Sequence, residues 1–174
     1  MIQPANFADL TDLTDLQTLQ RAIAADPDRW RPLVFTNGCF DLLHAGHVRY
    51  LAAARSLGKS LVVGLNSDRS VANLKPAAPG FPPRPIVPQD QRAEVLLALK
   101  AVDAIVIFDE PTATRTIEAL KPDIYVKGGD YCVETLPESP AVLAGGGRIE
   151  LVQIEVPSST SGIVQRILAA RPLE

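Results

Sequence analysis

The 174 residues of the chain are close to one domain in length, and a hydrophobic fraction of 47% is enough for a sizeable core. The formal net charge of −3 argues against a broad nucleic-acid-binding surface. Two cysteines are too few for a disulfide framework or a zinc site, and Cys39 is read as a free buried thiol.

The N-terminal residues, MIQPANFADL, lack the basic start and apolar run of a signal peptide. No stretch approaches the roughly 20 apolar residues of a membrane helix. We therefore expect a soluble, cytoplasmic protein in a reducing compartment, with neither a membrane nor a nucleic acid as its partner.

Residues 1–30 read as an N-terminal helical leader that precedes the main domain, residues 31–174. After a loose end at residues 1–9, apolar residues recur at steps of three and four, which predicts a helix up to about Ala25. Asp9 or Thr11 could cap this helix, and Pro27 ends it. The repeating residues are Leu10, Leu13, Leu16, Leu19 and Ile23.

From residue 31 onward, predicted strands and helices alternate along the chain. The predicted strands are Leu33–Thr36, Leu61–Leu65, Ala104–Phe108, Ile124–Lys127 and Arg148–Val156. The predicted helices are Val48–Leu57, Gln91–Val102, Thr112–Leu120, residues 137–144 and Ile163–Ala170. Between them, Ser70–Gln89 is predicted to be irregular, and we call its residues 76–88 the proline-rich loop. We expect this loop to lie over a site.

This alternation predicts one α/β domain of the Rossmann-like type. Its five parallel strands form one sheet, with right-handed crossovers and helices on both faces. In such sheets, ligands bind beyond the carboxyl ends of the strands, where the winding reverses. Four polar clusters are predicted to lie at that edge, which favours one shared site: residues 36–47, Asn66–Asp68, Lys127–Tyr131 and Ser159–Gly162.

The stretch LVFTNGCFDLLHAGHVRYLAAAR, residues 33–55, is predicted to run from a strand through a turn into a helix. The first N–H groups of a helix have no partner within the helix, and the helix dipole adds positive charge there, so such a turn suits a phosphate. His44 and His47 are three residues apart and share one face of the helix start. In isolation, such a pair is more often one buried structural histidine and one surface histidine. The strand–turn–helix context favours a phosphate site.

The run TNGCFDLLHAGH resembles the His-x-Gly-His signature of the nucleotidyltransferase superfamily, in its cytidylyltransferase-like branch. Within that branch the chain resembles stand-alone D-glycero-β-D-manno-heptose 1-phosphate adenylyltransferases, over Leu33 to Leu168. The resemblance implies that ATP and a sugar 1-phosphate give an ADP-sugar and pyrophosphate, by in-line attack on the α-phosphate. It also implies a phosphate-bound Mg²⁺ with no protein metal ligands, a homodimer, and a separate sugar kinase as a functional partner.

The resemblance also assigns roles to individual residues. It implies that His44, His47 and Lys75 are catalytic and contact phosphates, although Lys75 alone could be a solvated loop lysine. Asp130 would take a ribose hydroxyl or a base amine, unless its loop is only a turn, with Tyr131 as a cover. The implied nucleotide-binding residues, some of which could merely form turns or cap a helix, are Thr36, Asn37, Gly38, Cys39, Phe40, Gly46, His47, Lys127, Gly128, Asp130, Ser159, Thr160 and Ser161.

Four residues are assigned to the acceptor side. Asp41 could orient a histidine, bind the acceptor or help to hold the metal. Asn66 and Lys75 are expected to bind the acceptor, and Arg92 either binds phosphate or orders the site. Asp68, at the tip of the second strand, could equally serve only in a turn, and the alignment of Arg84 with the family is loose.

Two other functions stay open. The first is the same chemistry on CTP and glycerol 3-phosphate, or on another small phosphate acceptor. Glycerol 3-phosphate cytidylyltransferases carry an Arg-Thr-x-Gly run before the last helix, whereas this chain has Ile154-Glu155-Val156-Pro157 there. The second is a nucleotide-binding module without turnover, against which the retention of both histidines and Lys75 argues.

Overall fold

The computed structural model describes residues 15–129, 132–153 and 159–170. Five parallel strands form one sheet in the order β3-β2-β1-β4-β5. They are β1 (Leu33–Gly38), β2 (Ser60–Asn66), β3 (Ala104–Phe108), β4 (Ile124–Gly128) and β5 (Arg148–Val152). The helices of the described residues are α1 (Leu16–Ala25), α2 (Pro27–Trp30), α3 (Ala45–Arg55), α4 (Asp68–Leu74), α5 (Gln89–Leu97), α6 (Thr114–Leu120), α7 (Ser139–Ala144) and α8 (Thr160–Ala169).

The sheet is covered by helices on both faces, as predicted. All seven residues of β2 are buried, which is why this strand reads as a continuous apolar run. On one face, Leu19 of α1 and Ile117 of α6 pack with Phe35. On the other face, Leu51 of α3 and Leu96 of α5 pack around β2. The predicted Rossmann-like α/β fold is confirmed.

The winding of the sheet reverses beside β1. The chain adds β2 and β3 on one side of β1, and then crosses to place β4 and β5 on the other side. The carboxyl ends of β1 and β4 therefore flank the crevice where α/β sheets bind their ligands. None of the helices in the described ranges is long and apolar enough to cross a membrane.

The N-terminal helix differs from its prediction. Helix α1 begins at Leu16, because Asp15 has an extended backbone and its carboxylate accepts a hydrogen bond from the N–H of Thr18 at 2.7 Å. Leu10 and Leu13, from which the apolar recurrence was read, lie outside the described residues. The predicted caps Asp9 and Thr11 lie outside the described residues. Pro27 not only ends α1 but also opens α2, because proline suits the first position of a helix.

Other boundaries shift where the chain is locally ambiguous. The predicted irregular stretch Ser70–Gln89 contains most of α4, which Ser67 starts by accepting a hydrogen bond from the N–H of Ser70. Helix α5 ends at Leu97 rather than at Val102. Strand β3 matches its predicted bounds, whereas β5 ends at Val152, and the rest of its predicted range, from residue 154, lies outside the described residues.

Candidate active site

The turn between β1 and α3, residues 39–44, has an unusual backbone at Phe40. The φ angle of Phe40 is 44°, a left-handed value that few residues other than glycine adopt. This backbone directs a buried aromatic ring against Gly38, where a Cβ atom would lie 3.0 Å from the ring. The same ring meets that of His47 edge-on, with centroids 5.5 Å apart. Phe40 thus fixes one side of His47.

His44 caps α3 with its own side chain. Its backbone is extended, and Nδ1 accepts a hydrogen bond from the N–H of Gly46 at 3.1 Å. A neutral imidazole that accepts at Nδ1 carries its proton at Nε2. His44 therefore presents an N–H donor away from the helix start, which suits a phosphate oxygen.

His47 lies directly beside His44, with ring centroids 4.0 Å apart and planes tilted by 33°. The pKa of His47 is lowered from 6.5 to about 4. Burial is the larger cause, and the charge of His44 is the smaller one. Its Nδ1 is buried and has no hydrogen-bond partner within the described part of the chain. The protein thus holds a neutral imidazole with an unsatisfied ring nitrogen at the point where the motif predicts phosphate binding.

The ring signals of His47 are expected to titrate near pH 4, which NMR can measure in a chain with two histidines. Because protonation is harder in the folded state, the unfolding free energy should fall as the pH drops from 6.5 to about 4, and then level off. Replacing His44 with alanine removes the lesser cause, so the pKa of His47 should rise but stay below 6.5. A pKa of His47 near 6.5 in the unsubstituted protein would contradict this arrangement.

Asn37 and Lys127 meet across the crevice between β1 and β4. The Nζ of Lys127 and the hydroxyl of Tyr125 both donate to Oδ1 of Asn37, each at 2.8 Å. Burial lowers the pKa of Lys127, although Glu138 and Cys39 favour its charged form. A partly buried cation and an amide thus lie together at the reversal point of the sheet.

Thr36 and Gly128, both predicted to bind nucleotide, contact Tyr50 of α3. The hydroxyls of Thr36 and Tyr50 are 2.7 Å apart, and Tyr50 donates to the carbonyl of Val126 at 2.9 Å. At Gly128, a Cβ atom would lie 2.9 Å from the ring of Tyr50. These contacts fix α3 on the sheet. The sequence interpretation missed Tyr50, although its position three residues after His47 places both on one side of α3.

Asp41 holds the proline-rich loop. Its buried carboxylate accepts hydrogen bonds from the N–H groups of Ile86 and Val87, both at 2.8–3.0 Å, and forms a short ion pair with Arg84. All of these partners belong to the loop, so the structure gives Asp41 a role in positioning it. Arg84, whose alignment with the family was loose, lies in this ion pair and is mostly buried.

Replacing Asp41 with asparagine is expected to loosen the end of the proline-rich loop that contains Arg84, Ile86 and Val87. Asparagine keeps one acceptor oxygen but loses the negative charge. Because a hydrogen bond to a charged group contributes about 2 kcal/mol, the unfolding free energy should fall by at least about that much. Amide exchange at Ile86 and Val87 should accelerate at least about tenfold, as measured by mass spectrometry. Glu150→Gln is the control, because its pair with Arg148 is exposed. Unchanged exchange at both amides would contradict the role of Asp41.

Arg92 joins four segments around the turn. Its fully buried guanidinium donates to the carbonyls of Val87, Cys39 and Asn66 and to Asp68, at 2.5–2.9 Å. Of the two roles that the sequence left open, this geometry corresponds to ordering the site. The Asn66 amide is also buried and donates to Ser70 at 3.0 Å, so both side chains have protein partners.

Helix α8 reaches the turn with its first residues. Ser159 caps the helix by accepting a hydrogen bond from the N–H of Gly162 at 3.1 Å. Thr160 donates to the carbonyl of Leu42 at 3.4 Å, while Ser161 faces a groove beside Lys75. The predicted nucleotide-binding residue Asp130, with its neighbour Tyr131, lies outside the described residues.

Positive charge gathers around Cys39 at the centre of the turn. Burial raises the pKa of its thiol, while the charges of Lys75, Arg92 and Arg84 act in the opposite direction. Of these three cations, Arg84 and Arg92 are paired with Asp41 and Asp68, so Lys75 supplies the uncompensated positive charge near Cys39, which favours phosphates.

A family model described as Cytidylyltransferase-like matches residues 35–166. The chain belongs to this family. The match runs from β1 to α8 and includes the histidine pair, so the predicted resemblance is confirmed. This membership agrees with the predicted class of enzyme, a nucleotidyltransferase.

The chain is also similar to individual proteins of known sequence or structure. The chain is 50% identical over 152 residues to the bifunctional protein HldE of Citrifermentans bemidjiense and 52% identical over 139 residues to that of Magnetococcus marinus. These matches cover 87% and 80% of this chain, but only 30% and 28% of the relatives. A lipopolysaccharide core biosynthesis protein of Thermoplasma volcanium is 30% identical with a TM-score of 0.54, over 70% of this chain and 94% of that one.

Within this cytidylyltransferase-like domain, the predicted site residues fall into three sets. His44, His47, Asn37 and Lys127 lie at the carboxyl ends of β1 and β4, where the winding of the sheet reverses. Lys75 and Ser161 line a groove together with residues of the proline-rich loop. Asp41, Asn66 and Arg92 are bonded to other parts of the protein. No group of three or more His, Cys, Asp or Glu side chains in the described residues could hold a metal ion.

Proposed function

We propose that the chain is an adenylyltransferase that joins ATP and a sugar 1-phosphate to give an ADP-sugar and pyrophosphate. The observation that carries this proposal is the histidine pair at the head of α3, with rings 4.0 Å apart beside the reversal point of the sheet. Two imidazoles, free N–H groups of a helix and nearby cations form a preorganised site for a reacting phosphate.

In this reaction, the sugar phosphate attacks the α-phosphate of ATP, and pyrophosphate leaves on the opposite side. A phosphate nucleophile is already ionised at neutral pH, so the protein needs no strong general base. Its task is to align the reactants and to stabilise the negative charge of the transition state. His44 donates from Nε2 to an α-phosphate oxygen, and His47 supplies the second imidazole. Because the bound phosphates favour the imidazolium form, the pKa of His47 rises when ATP binds.

The remaining phosphate contacts follow from the positions of the cations and of α8. Lys75 is exposed at the end of α4, and its ammonium has no partner within the described residues, so it is available to bridge the two substrates. Ser159, Thr160 and Ser161 head α8, where free N–H groups suit the β- and γ-phosphates. Asn37 and Lys127 lie on the β4 side, where we place the base and ribose, with Asp130 as a further contact.

ATP brings Mg²⁺ to the reaction on its own phosphates. Asp41 in the β1–α3 turn and Asp68 at the start of α4 are paired with Arg84 and Arg92, which fits a metal held by phosphates rather than by the protein. When bound there, the ion neutralises phosphate charge. We place the enzyme in the cytoplasm, as a homodimer that works with a separate sugar kinase.

We propose D-glycero-β-D-manno-heptose 1-phosphate as the acceptor. Three observations support a sugar phosphate of this kind: the resemblance of the TNGCFDLLHAGH region, the identity with HldE proteins, and the lipopolysaccharide core biosynthesis protein among the similar structures. The test is mass spectrometry of the product formed from ATP, Mg²⁺ and this acceptor. ADP-heptose is expected, and its absence together with a product from another phosphate acceptor would overturn the choice of sugar.

A further inference from the structure

The two halves of the proposed site belong to different elements of the fold. His44 and His47 lie at the start of α3, whereas Asn37 and Lys127 lie on the strands β1 and β4. In-line transfer needs the α-phosphate at the imidazoles while the base and ribose lie against the strands. The position of α3 on the sheet therefore determines how well the reacting atoms are aligned.

The hydroxyl of Tyr50 joins α3 to both of these strands. It donates to the carbonyl of Val126 on β4 at 2.9 Å, and it lies 2.7 Å from the hydroxyl of Thr36 on β1. A phenol has one proton to donate, so in the second contact Thr36 donates and Tyr50 accepts. Thr36 is fully buried, so this chain of two hydrogen bonds is shielded from water, and each bond strengthens the other.

The ring of Tyr50 is held as closely as its hydroxyl. It packs against the buried cluster that contains Leu51 and Val126. At Gly128, a Cβ atom would lie 2.9 Å and 3.0 Å from two ring carbons. The φ angle of Gly128 is not in the left-handed region, so the space that the ring occupies, rather than the backbone, requires glycine there.

Tyr50 and His47 lie on the same side of α3, one turn apart. They are three residues apart, which corresponds to about 4.5 Å along the helix axis. His44 caps the same helix and lies against His47. Because main-chain hydrogen bonds make these turns one unit, a shift of α3 at Tyr50 displaces both imidazoles relative to β1 and β4.

We propose that Tyr50 is a positioning residue for the transfer reaction, an inference that rests on the proposed function. Its hydroxyl, held between Thr36 and Val126, sets the distance from the imidazoles to the ends of β1 and β4. Thr36 contributes by holding this hydroxyl, and Gly128 contributes by leaving room for the ring. Tyr50 thus acts through the imidazoles and not on the substrates.

The test compares Tyr50→Phe, Thr36→Val and the double variant in pyrophosphate release from ATP, Mg²⁺ and heptose 1-phosphate. Tyr50→Phe keeps the ring on Gly128 and removes only the hydroxyl. Its kcat should fall about tenfold while the KM for ATP stays within about threefold, because misplaced imidazoles stabilise the transition state less well. The double variant should stay within about twofold of Tyr50→Phe, since both substitutions break the same link.

Ser56→Ala is the matched control. Ser56 lies at the opposite end of α3, and its exposed hydroxyl also donates to a main-chain carbonyl, that of Ala53 at 2.7 Å. Its removal should leave kcat within about twofold of the parent. The pKa of His47, measured by NMR without substrate, is a second readout. Water reaches a loosened helix start, so this pKa should rise from about 4 toward 6.5 in Tyr50→Phe but not in Ser56→Ala.

Three results would overturn the role of Tyr50. A kcat of Tyr50→Phe within about twofold of an active parent would remove this role and leave the proposed function intact. Losses that multiply in the double variant would show that Thr36 and Tyr50 act separately. If the parent protein releases no pyrophosphate, the proposed function fails first, and the pKa of His47 then decides. An unchanged pKa in Tyr50→Phe would show that the hydroxyl does not position the imidazoles, whereas a raised pKa would support that it does.

Discussion

Replacing His47 with alanine is expected to lower kcat by about 100-fold or more, the usual cost of one preorganised group that stabilises charge. His47 lies 4.0 Å from His44, ring centre to ring centre, and its ring is held by Phe40 and by the helix start. The loss should appear in kcat more than in the KM for ATP, because the imidazole acts on charge that develops during the reaction. Initial rates of pyrophosphate release measure both parameters.

A matched control separates catalysis from helix stability. Val48 is the next residue of α3, and about 45% of it is exposed. Val48→Ala removes a side chain from the same turn of helix without touching the imidazoles, so its rate should stay within about twofold of the parent. If His47→Ala kept turnover within a few-fold of the parent while folding normally, the catalytic role of the pair would be wrong.

Replacing Arg92 with alanine is expected to lower the unfolding free energy by about 3 kcal/mol or more, the cost of leaving buried acceptors unpaired. The guanidinium is fully buried and joins the carbonyls of Cys39, Asn66 and Val87 to Asp68. Its loss leaves three main-chain carbonyls without their charged donor. Urea unfolding followed by circular dichroism measures the change.

Arg115→Ala is the control for this experiment. Arg115 also pairs with an acidic residue, Glu110, but its side chain is 80% exposed and the atoms are 3.3 Å apart. Exposed pairs contribute little, so this variant should lose less than about 1 kcal/mol. Equal losses in the two arginine variants would show that Arg92 does not order the site.

The sequence predicted those parts of the site that depend on near neighbours. The side-by-side placement of His44 and His47 follows from a spacing of three at a helix start. Strand β3 was predicted with both of its ends, since Ala104–Phe108 is an apolar run between two aspartates. Such features need only the period of a helix or strand, which local sequence contains.

The roles of Asp41 and Arg92 depend on distant partners. Asp41 meets Arg84 at a separation of 43 residues, and Arg92 meets Cys39 at a separation of 53. The spacing of a motif contains no information on such distant partners, so the sequence left the roles of both residues open. The start of α1 at Leu16 was not predicted, because the apolar spacing gives no boundary there and only the cap at Asp15 marks it.

The proposed function depends on adenylyl transfer to a sugar 1-phosphate at the histidine pair. The most direct test is pyrophosphate release with Mg²⁺, in a grid of ATP and CTP against heptose 1-phosphate and glycerol 3-phosphate. We expect release with ATP and heptose 1-phosphate, and little with the other three pairs. Release only with CTP and glycerol 3-phosphate would contradict both substrate assignments, and nucleotide binding without release from any pair would contradict the enzyme itself.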